Sequence, residues 1–353
     1  EFELDVLRRL GGLYLDKDDY RNGLGIYRVI ATYFPDHPDT TRIAQIMTDT
    51  FKKLYLEGKA DALPPLTALA LYDEFRELTP AGPDGNIMIQ KLAERLVDVD
   101  LLKRAADLLE HQVKFRLQGE ERAEVGAKLA LIRLLDRDPT AAIEALRTTA
   151  YSRLPEELDD DRRRIQARAY FETGRTQEAV ELLAGDVSRN ADLLRADIQW
   201  KSENWPEAAK ALQRFAGEPP AQGTTYDRAD AQVVLNWAVA LRLSKDESGL
   251  AVLRELYGPA MEASPMANAF RFIASPSGAG EPLDIENVTS RIAETDMFDA
   301  FLSEYLEDNK RRLLKTKTPP PAPAAPPGPA APPGPAAAVP QAARPDAAPP
   351  ASG

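Results

Sequence analysis

A five-residue pattern returns along the chain at a fixed interval: a small residue, two variable ones, then two larger ones. It runs Ala68 to Tyr72, Ala105 to Leu109, Ala142 to Leu146 and Ala179 to Leu183, with 37 residues between successive first alanines. A step of 29 leads on to Ala208–Leu212, and a step of 45 leads back to Gly23–Tyr27. A small residue with a larger one four positions later shares one face of a helix. Where two antiparallel helices cross, the small residue lets the axes approach and the larger one fills the groove. A single hairpin cannot bury its apolar face alone, so repeated hairpins must stack. That constraint points to an all-α chain.

The rest of residues 1–317 agrees. No sustained period-2 alternation is present, and apolar positions recur at three and four, as in Leu92, Leu96 and Leu109. Breakers fall at hairpin spacing: Pro35–Pro38, Pro64–Pro65, Pro80–Pro83, Asp138–Pro139, Gly174 and Gly217–Pro220. Proline in a first turn fits Asp138–Pro139 and Leu154–Pro155 as helix starts. The stretch Ala231–Leu241 is apolar all round and predicts a buried helix. Gly23 and Gly25 sit inside a helical pattern and read as sites of close packing. Residues 284–314 read as one or two capping helices, closed by the cations Lys310, Arg311, Arg312, Lys315 and Lys317. These either match a helix dipole or form a docking patch for an acidic surface. The final stretch, 318–353, holds 14 of the chain's 29 prolines and repeats Ala-Pro-Pro-Gly-Pro-Ala at 325–330 and 331–336. It is expected to be a disordered, polyproline-II tail. The domain organisation expected is therefore repeats over 1–220, a helical cap over 221–317 and the tail.

The repeat resembles the tetratricopeptide family. Leu7, Leu10-Gly11, Tyr14, Gly23, Tyr27 and Pro35 stand at that family's spacings. Ala167, Tyr170, Gly174, Ala179 and Leu183 form a second match, and Ala196, Trp200, Trp205-Pro206, Ala208 and Leu212 a third. Other repeats keep the small residue but lose the glycine and tyrosine, and the 37-residue step exceeds the family's usual one. The resemblance implies a right-handed α-solenoid of antiparallel hairpins whose first helices line a concave groove. By that register Arg164, Arg168 and Glu172 of one repeat, with Asp197, Trp200 and Lys201 of the next, would face a partner. The segment Leu66–Leu117 also resembles long envelope repeat proteins of GC-rich bacteria, which favours the periplasm or cell envelope over the cytoplasm.

Chemistry is sparse. A net charge of −12 argues against a broad nucleic-acid surface. Absence of cysteine excludes disulfides, thiolate metal sites and cysteine nucleophiles. No apolar run approaches the roughly 20 residues of a spanning helix. His37 and His111 are the only histidines and stand alone, so both read as solvated. The acids Glu156 to Asp161 lack calcium-loop spacing and suit a helix start. No phosphate loop, dinucleotide fingerprint or nucleophile elbow occurs. The chain opens on Glu1 rather than Met, as expected of a fragment or processed product. The expectation is a non-enzymatic scaffold, without cofactor or metal, that holds a partner's peptide or helix. The alternative is a structural spacer or self-association segment of a larger envelope protein.

Overall fold

A computed structural model describes residues 2–219, 221, 223 and 225–275. The expected cap over 284–314, its basic cluster and the proline-rich tail lie outside them. Among the described residues the chain is all-helical, with no strand.

Helices come in consecutive pairs. They are α1 (Phe2–Asp16) with α2 (Tyr20–Tyr33), α3 (Pro38–Tyr55) with α4 (Pro65–Glu74), and α5 (Pro83–Asp98) with α6 (Leu102–Phe115). Next are α7 (Gly119–Leu135) with α8 (Pro139–Thr148), α9 (Glu156–Glu172) with α10 (Thr176–Leu183), and α11 (Arg189–Lys201) with α12 (Trp205–Ala216). Last are α13 (Arg228–Leu243) with α14 (Glu247–Glu262), then α15 (Ala267–Ile273). Short 3₁₀ turns occupy Lys59–Ala62 and Arg76–Leu78. Proline opens α3, α4, α5 and α8, and sits in the first turn of α12. The carboxylates of Asp19, Asp138, Asp227 and Asp246 cap helices by accepting backbone N–H bonds. His37 does the same for α3 through Nδ1, 3.2 Å from the Asp39 amide. Glu156, Glu157 and Asp159 stand in the first turn of α9.

Six of the hairpins share one turn. Its left-handed residue is Asp18, Asp100, Arg137, Gly174, Glu203 or Lys245. The N–H of the next residue returns to the carbonyl five positions back, from Tyr14 in the first hairpin to Leu241 in the last, at 2.8–2.9 Å. Seven residues before each left-handed residue stands Gly11, Ala93, Ala130, Ala167, Ala196 or Ala238, all buried. Five residues after it, in the first five turns, stands Gly23, Ala105, Ala142, Ala179 or Ala208, again buried. The larger residues four positions on, from Tyr27 to Leu212, are buried as well. Each of these hairpins therefore has a small residue on both helices, twelve positions apart, where the axes cross. At the first crossing a β-carbon on Gly11 would lie 2.6 Å from the Tyr27 ring, and one on Gly23 would lie 2.5 Å from the Leu15 side chain. Gly25, in contrast, faces open space and is not a packing glycine.

The irregular steps have local causes. The 45-residue step contains the long α3 and the 3₁₀ turn after it, and the 29-residue step contains the shorter α11. Hairpin α13–α14 uses the same turn. Leu250 occupies its small position, and the close approach passes to Gly249, whose β-carbon would lie 2.7 Å from Leu241.

Every even-numbered helix from α2 to α12 packs on its own odd-numbered partner or on the odd-numbered helix that follows, and most do both. Odd-numbered helices also meet the next odd one at α3–α5, α7–α9, α9–α11 and α13–α15. Consecutive even-numbered helices pack far less on one another; among the described residues α2 and α4 are joined through Arg21, which bonds Glu74 at 2.7 Å. Odd-numbered helices such as α7, α11 and α13 are therefore buried on nearly every side. The core follows the chain as three clusters: Leu4 to Ala169, Ala167 to Ile198, and Leu193 to Ala274. The last runs from α11 through Trp237 to Ile273, across position 220.

Candidate functional site

Two features stand out: an ion-pair chain across the odd-numbered helices, and cavities between the even-numbered ones.

The ion-pair chain contains four of the six residues that the register marked for a partner. Arg168 on α9 bonds Glu172, one turn on, at 2.5 Å, and also bonds Asp197 of α11. Asp197 is fully buried and pairs in turn with Lys201 at 3.3 Å. Glu172 and Lys201 end the chain at the surface. Burial pushes the Asp197 carboxyl above its ordinary range, against the pull of Arg168 and Lys201. Burial also opposes the Arg168 charge, but Asp197 and Glu172 outweigh it and the guanidinium is raised.

Arg164 lies one turn before Arg168 and is itself buried. It bonds Asp161 at 2.9 Å and Asp186, in the loop after α10, at 2.6 Å. Burial alone would raise Asp186, yet the bonds from Arg164 and Ser188 lower it to about 2. Trp200, the sixth residue, is buried edge-on against Trp205, with ring centroids 5.3 Å apart. The structure thus brings Arg168, Glu172, Asp197 and Lys201 into one network. Arg164 sits in a neighbouring network, and Trp200 in the packing of its own hairpin.

Other cations tie hairpins to their predecessors. Arg162 of α9 donates to the carbonyls of Ala123 at 2.6 Å and Leu146 at 2.7 Å. Lys128 of α7 reaches Gln90 of α5 at 2.7 Å.

Because even-numbered helices splay apart, cavities open between them, floored by the odd-numbered helix in the middle. Between α4 and α6 lies one of about 300 Å³. Tyr72, Ile89 and Leu108 provide apolar wall, Asp73, Arg76, Arg104 and Asp107 a charged rim, and His111 a polar edge. Arg76 is held by Asp73 at 2.7 Å. The His111 ring lies tilted against Phe115, centroids 4.9 Å apart, and burial, then Arg76 and Arg116, lowers its pKa. The imidazole is therefore neutral at pH 7, with one nitrogen to donate and one to accept.

One repeat on, between α6 and α8, lies a second cavity of about 370 Å³. Val113 and Leu129 line it, with Glu110, Lys114, Arg122, Arg133 and Glu144 around them. Glu110 bonds Lys114 at 2.6 Å and Arg133 at 2.8 Å, and the Lys114 bond leads in lowering its pKa. Further cavities lie between α12 and α14, about 450 Å³ over Trp237 and Leu241, and between α2 and α4, about 170 Å³. Sequence reasoning missed these grooves. Only the exposed charges Arg104, Asp107 and His111 on a helix with an alanine-leucine seam hint at one.

Among the described residues no group of three or more potential ligands could hold a metal ion, and no helix is long and apolar enough to cross a membrane. Comparison with protein-family models gives no match for this chain, and comparison with curated proteins gives none either.

Proposed function

We propose that this chain is a helical-repeat scaffold of the tetratricopeptide class, a right-handed solenoid of stacked hairpins, that binds a protein partner without catalysing a reaction. Support for the class comes from the shared turn, from small residues twelve apart in successive hairpins, and from contacts confined to chain neighbours. Support for binding comes from one observation. The cavities between α4 and α6 and between α6 and α8 lie one repeat apart, each with an apolar floor and a rim of both charge signs. An extended segment laid across α4, α6 and α8 would drop apolar side chains into both. Its own charges would meet Arg104 on one side of α6, where the neutral His111 ring offers a hydrogen bond, and Lys114 and Glu110 on the other. Apolar pockets give such a contact affinity, and rim charges give it orientation.

A second reading places the partner on the odd-numbered helices, at the exposed ends of the ion-pair chain, Glu172 and Lys201. Two variants of the whole chain separate the readings in affinity capture from native extract. One carries Arg76→Glu and Arg104→Glu; the other carries Glu172→Lys and Lys201→Glu. A partner lost only from the first supports the grooves between even-numbered helices. A partner lost only from the second supports the odd-helix face. Equal capture by both folded variants, or no partner at all, contradicts binding at either and favours a spacer.

A further inference from the structure

The cavity between α6 and α8 is charged unevenly. Lys114, Arg122 and Arg133 line it against Glu110 and Glu144. Both acids are already held. Glu110 is shared by Lys114 and Arg133, and Glu144 bonds Arg147 at 2.6 and 2.8 Å. Arg122 is left over. Its guanidinium bonds no acceptor among the described residues, and its Nε is buried. A buried donor without an acceptor costs free energy, so the fold gains nothing from Arg122 by pairing. The neighbouring cavity between α4 and α6 carries no such excess, since Arg76 and Arg104 balance Asp73 and Asp107.

Local helix chemistry does not explain the residue either. Arg122 stands fifteen residues before the left-handed turn residue Arg137. The same place before the other five left-handed residues holds Glu3, Gly85, Asp159, Ser188 or Asp230. None is a cation, and three are acids, as the positive end of a helix dipole favours. Near the start of α7, Arg122 opposes that dipole, beside a cavity floored by Val113 and Leu129.

We infer that the cavity between α6 and α8 is the subsite for an aspartate or glutamate side chain of a partner's extended segment, received by Arg122, with an apolar neighbour of that acid seated on Val113 and Leu129. The inference rests on the grooves between even-numbered helices being the partner's seat. A guanidinium takes a carboxylate through two parallel N–H···O bonds. Glu110 and Glu144 in the same cavity repel a dianion more than a monoanion, which favours carboxylate over phosphate. At about 370 Å³ the cavity holds a few side chains rather than a whole helix. It is also interior to the array. Both α6 and α8 pack on the odd-numbered helices before and after them, so no helix of the repeat is missing from it.

The test selects a random dodecapeptide library, displayed on phage, against the whole chain. Enriched peptides should carry an aspartate or glutamate within two positions of a large apolar residue. A synthetic copy of the leading peptide, carrying a neutral dye, is then titrated by fluorescence anisotropy. Arg122→Gln in the protein should weaken it by about tenfold or more, and the amide in place of the peptide's acid should do the same. The two changes together should cost little more than either alone. Because the Arg122 side chain bonds nothing in the fold, the Arg122→Gln chain should keep its circular dichroism. Arg122→Glu should bind the peptide whose acid is replaced by lysine, a rescue that a folding defect does not give. Enriched peptides that Arg76→Glu with Arg104→Glu weakens, but that lack a preferred acid or ignore Arg122→Gln, overturn the inference and leave the groove reading standing. Tighter binding with phosphoserine in place of the acid overturns the choice of carboxylate. Enriched peptides indifferent to all of these variants, or no enrichment on the whole chain, contradict the groove reading and the inference with it.

Discussion

Arg168 and Asp197, 29 residues apart in the chain, are bonded side chain to side chain between α9 and α11, and Asp197 is fully buried. The pair joins two hairpins through their odd-numbered helices. Removing one partner of a buried pair leaves an uncompensated charge, which costs more than the pair contributes. Arg168→Met should therefore destabilise the chain by about 3 kcal/mol, with Lys201 compensating Asp197 only in part. Arg168→Met combined with Asp197→Leu should cost less than Arg168→Met alone. Urea unfolding of both single variants and the double measures the coupling.

Gly126 has no room for a side chain. A β-carbon there would lie 2.0 Å from Thr149 Oγ1 and 2.5 Å from Thr149 Cβ. That hydroxyl donates to the Ala145 carbonyl at 2.7 Å and accepts from Arg162 at 3.2 Å. Gly126→Ala should cost roughly 1–3 kcal/mol through overpacking, despite the better helix propensity of alanine. Most of that cost should persist in a Thr149→Ala background, because the β-carbon of residue 149 remains in the way. Chemical denaturation of the two variants and their combination checks both statements.

Five of the six shared turns carry a side chain where the backbone is left-handed. Arg137, Glu203 and Lys245 are the least suited, since Asp18 and Asp100 belong to a type that tolerates this region. Replacing any of the three by glycine should be neutral or stabilise by up to about 1 kcal/mol, the relief of strain offset by the entropy of glycine in the unfolded chain. Gly174→Ala should run the other way by a similar amount. Thermal unfolding of the four variants ranks them.

Asp186 gives the acid side of the pH profile. Its carboxyl is lowered to about 2 in the folded chain by Arg164 and Ser188, against an ordinary value of 3.8. A folded value below the unfolded one means stability that is present above about pH 4 and lost as pH falls through 2. The contribution is up to about 2 kcal/mol. Asp186→Asn should lower stability at pH 7 and flatten its decline between pH 4 and 2, as read from melting temperatures across that range.

The helical character and the spacing of the hairpins are legible because the crossing of two helices imposes a small residue at a fixed place. Ala105, Ala142 and Ala179 announce it, and the proline and aspartate starts mark where each helix begins. Hairpin α13–α14 escapes the pattern because Leu250 holds the small position and Gly249 takes the approach one residue earlier. Helical periodicity also places Arg164, Arg168 and Glu172 on one side of α9. It carries no information on how near α11 comes to that side. The bonds from Arg164 to Asp186 and from Arg168 to Asp197 span 22 and 29 residues and exist only once hairpins have stacked. The cavities beside α6 are harder still to read. They arise from the distance between α4, α6 and α8, helices that pack chiefly on the odd-numbered ones rather than on each other, so the repeated small residues do not encode them.

The binding claim is tested most directly by hydrogen exchange on the whole chain, alone and with the partner that wild type captures. Slowed exchange in 65–76, 102–115 and 139–148, with α9 and α11 unchanged, is the predicted result. Slowed exchange confined to 164–172 and 197–201, or no difference anywhere between α4 and α8, would contradict it.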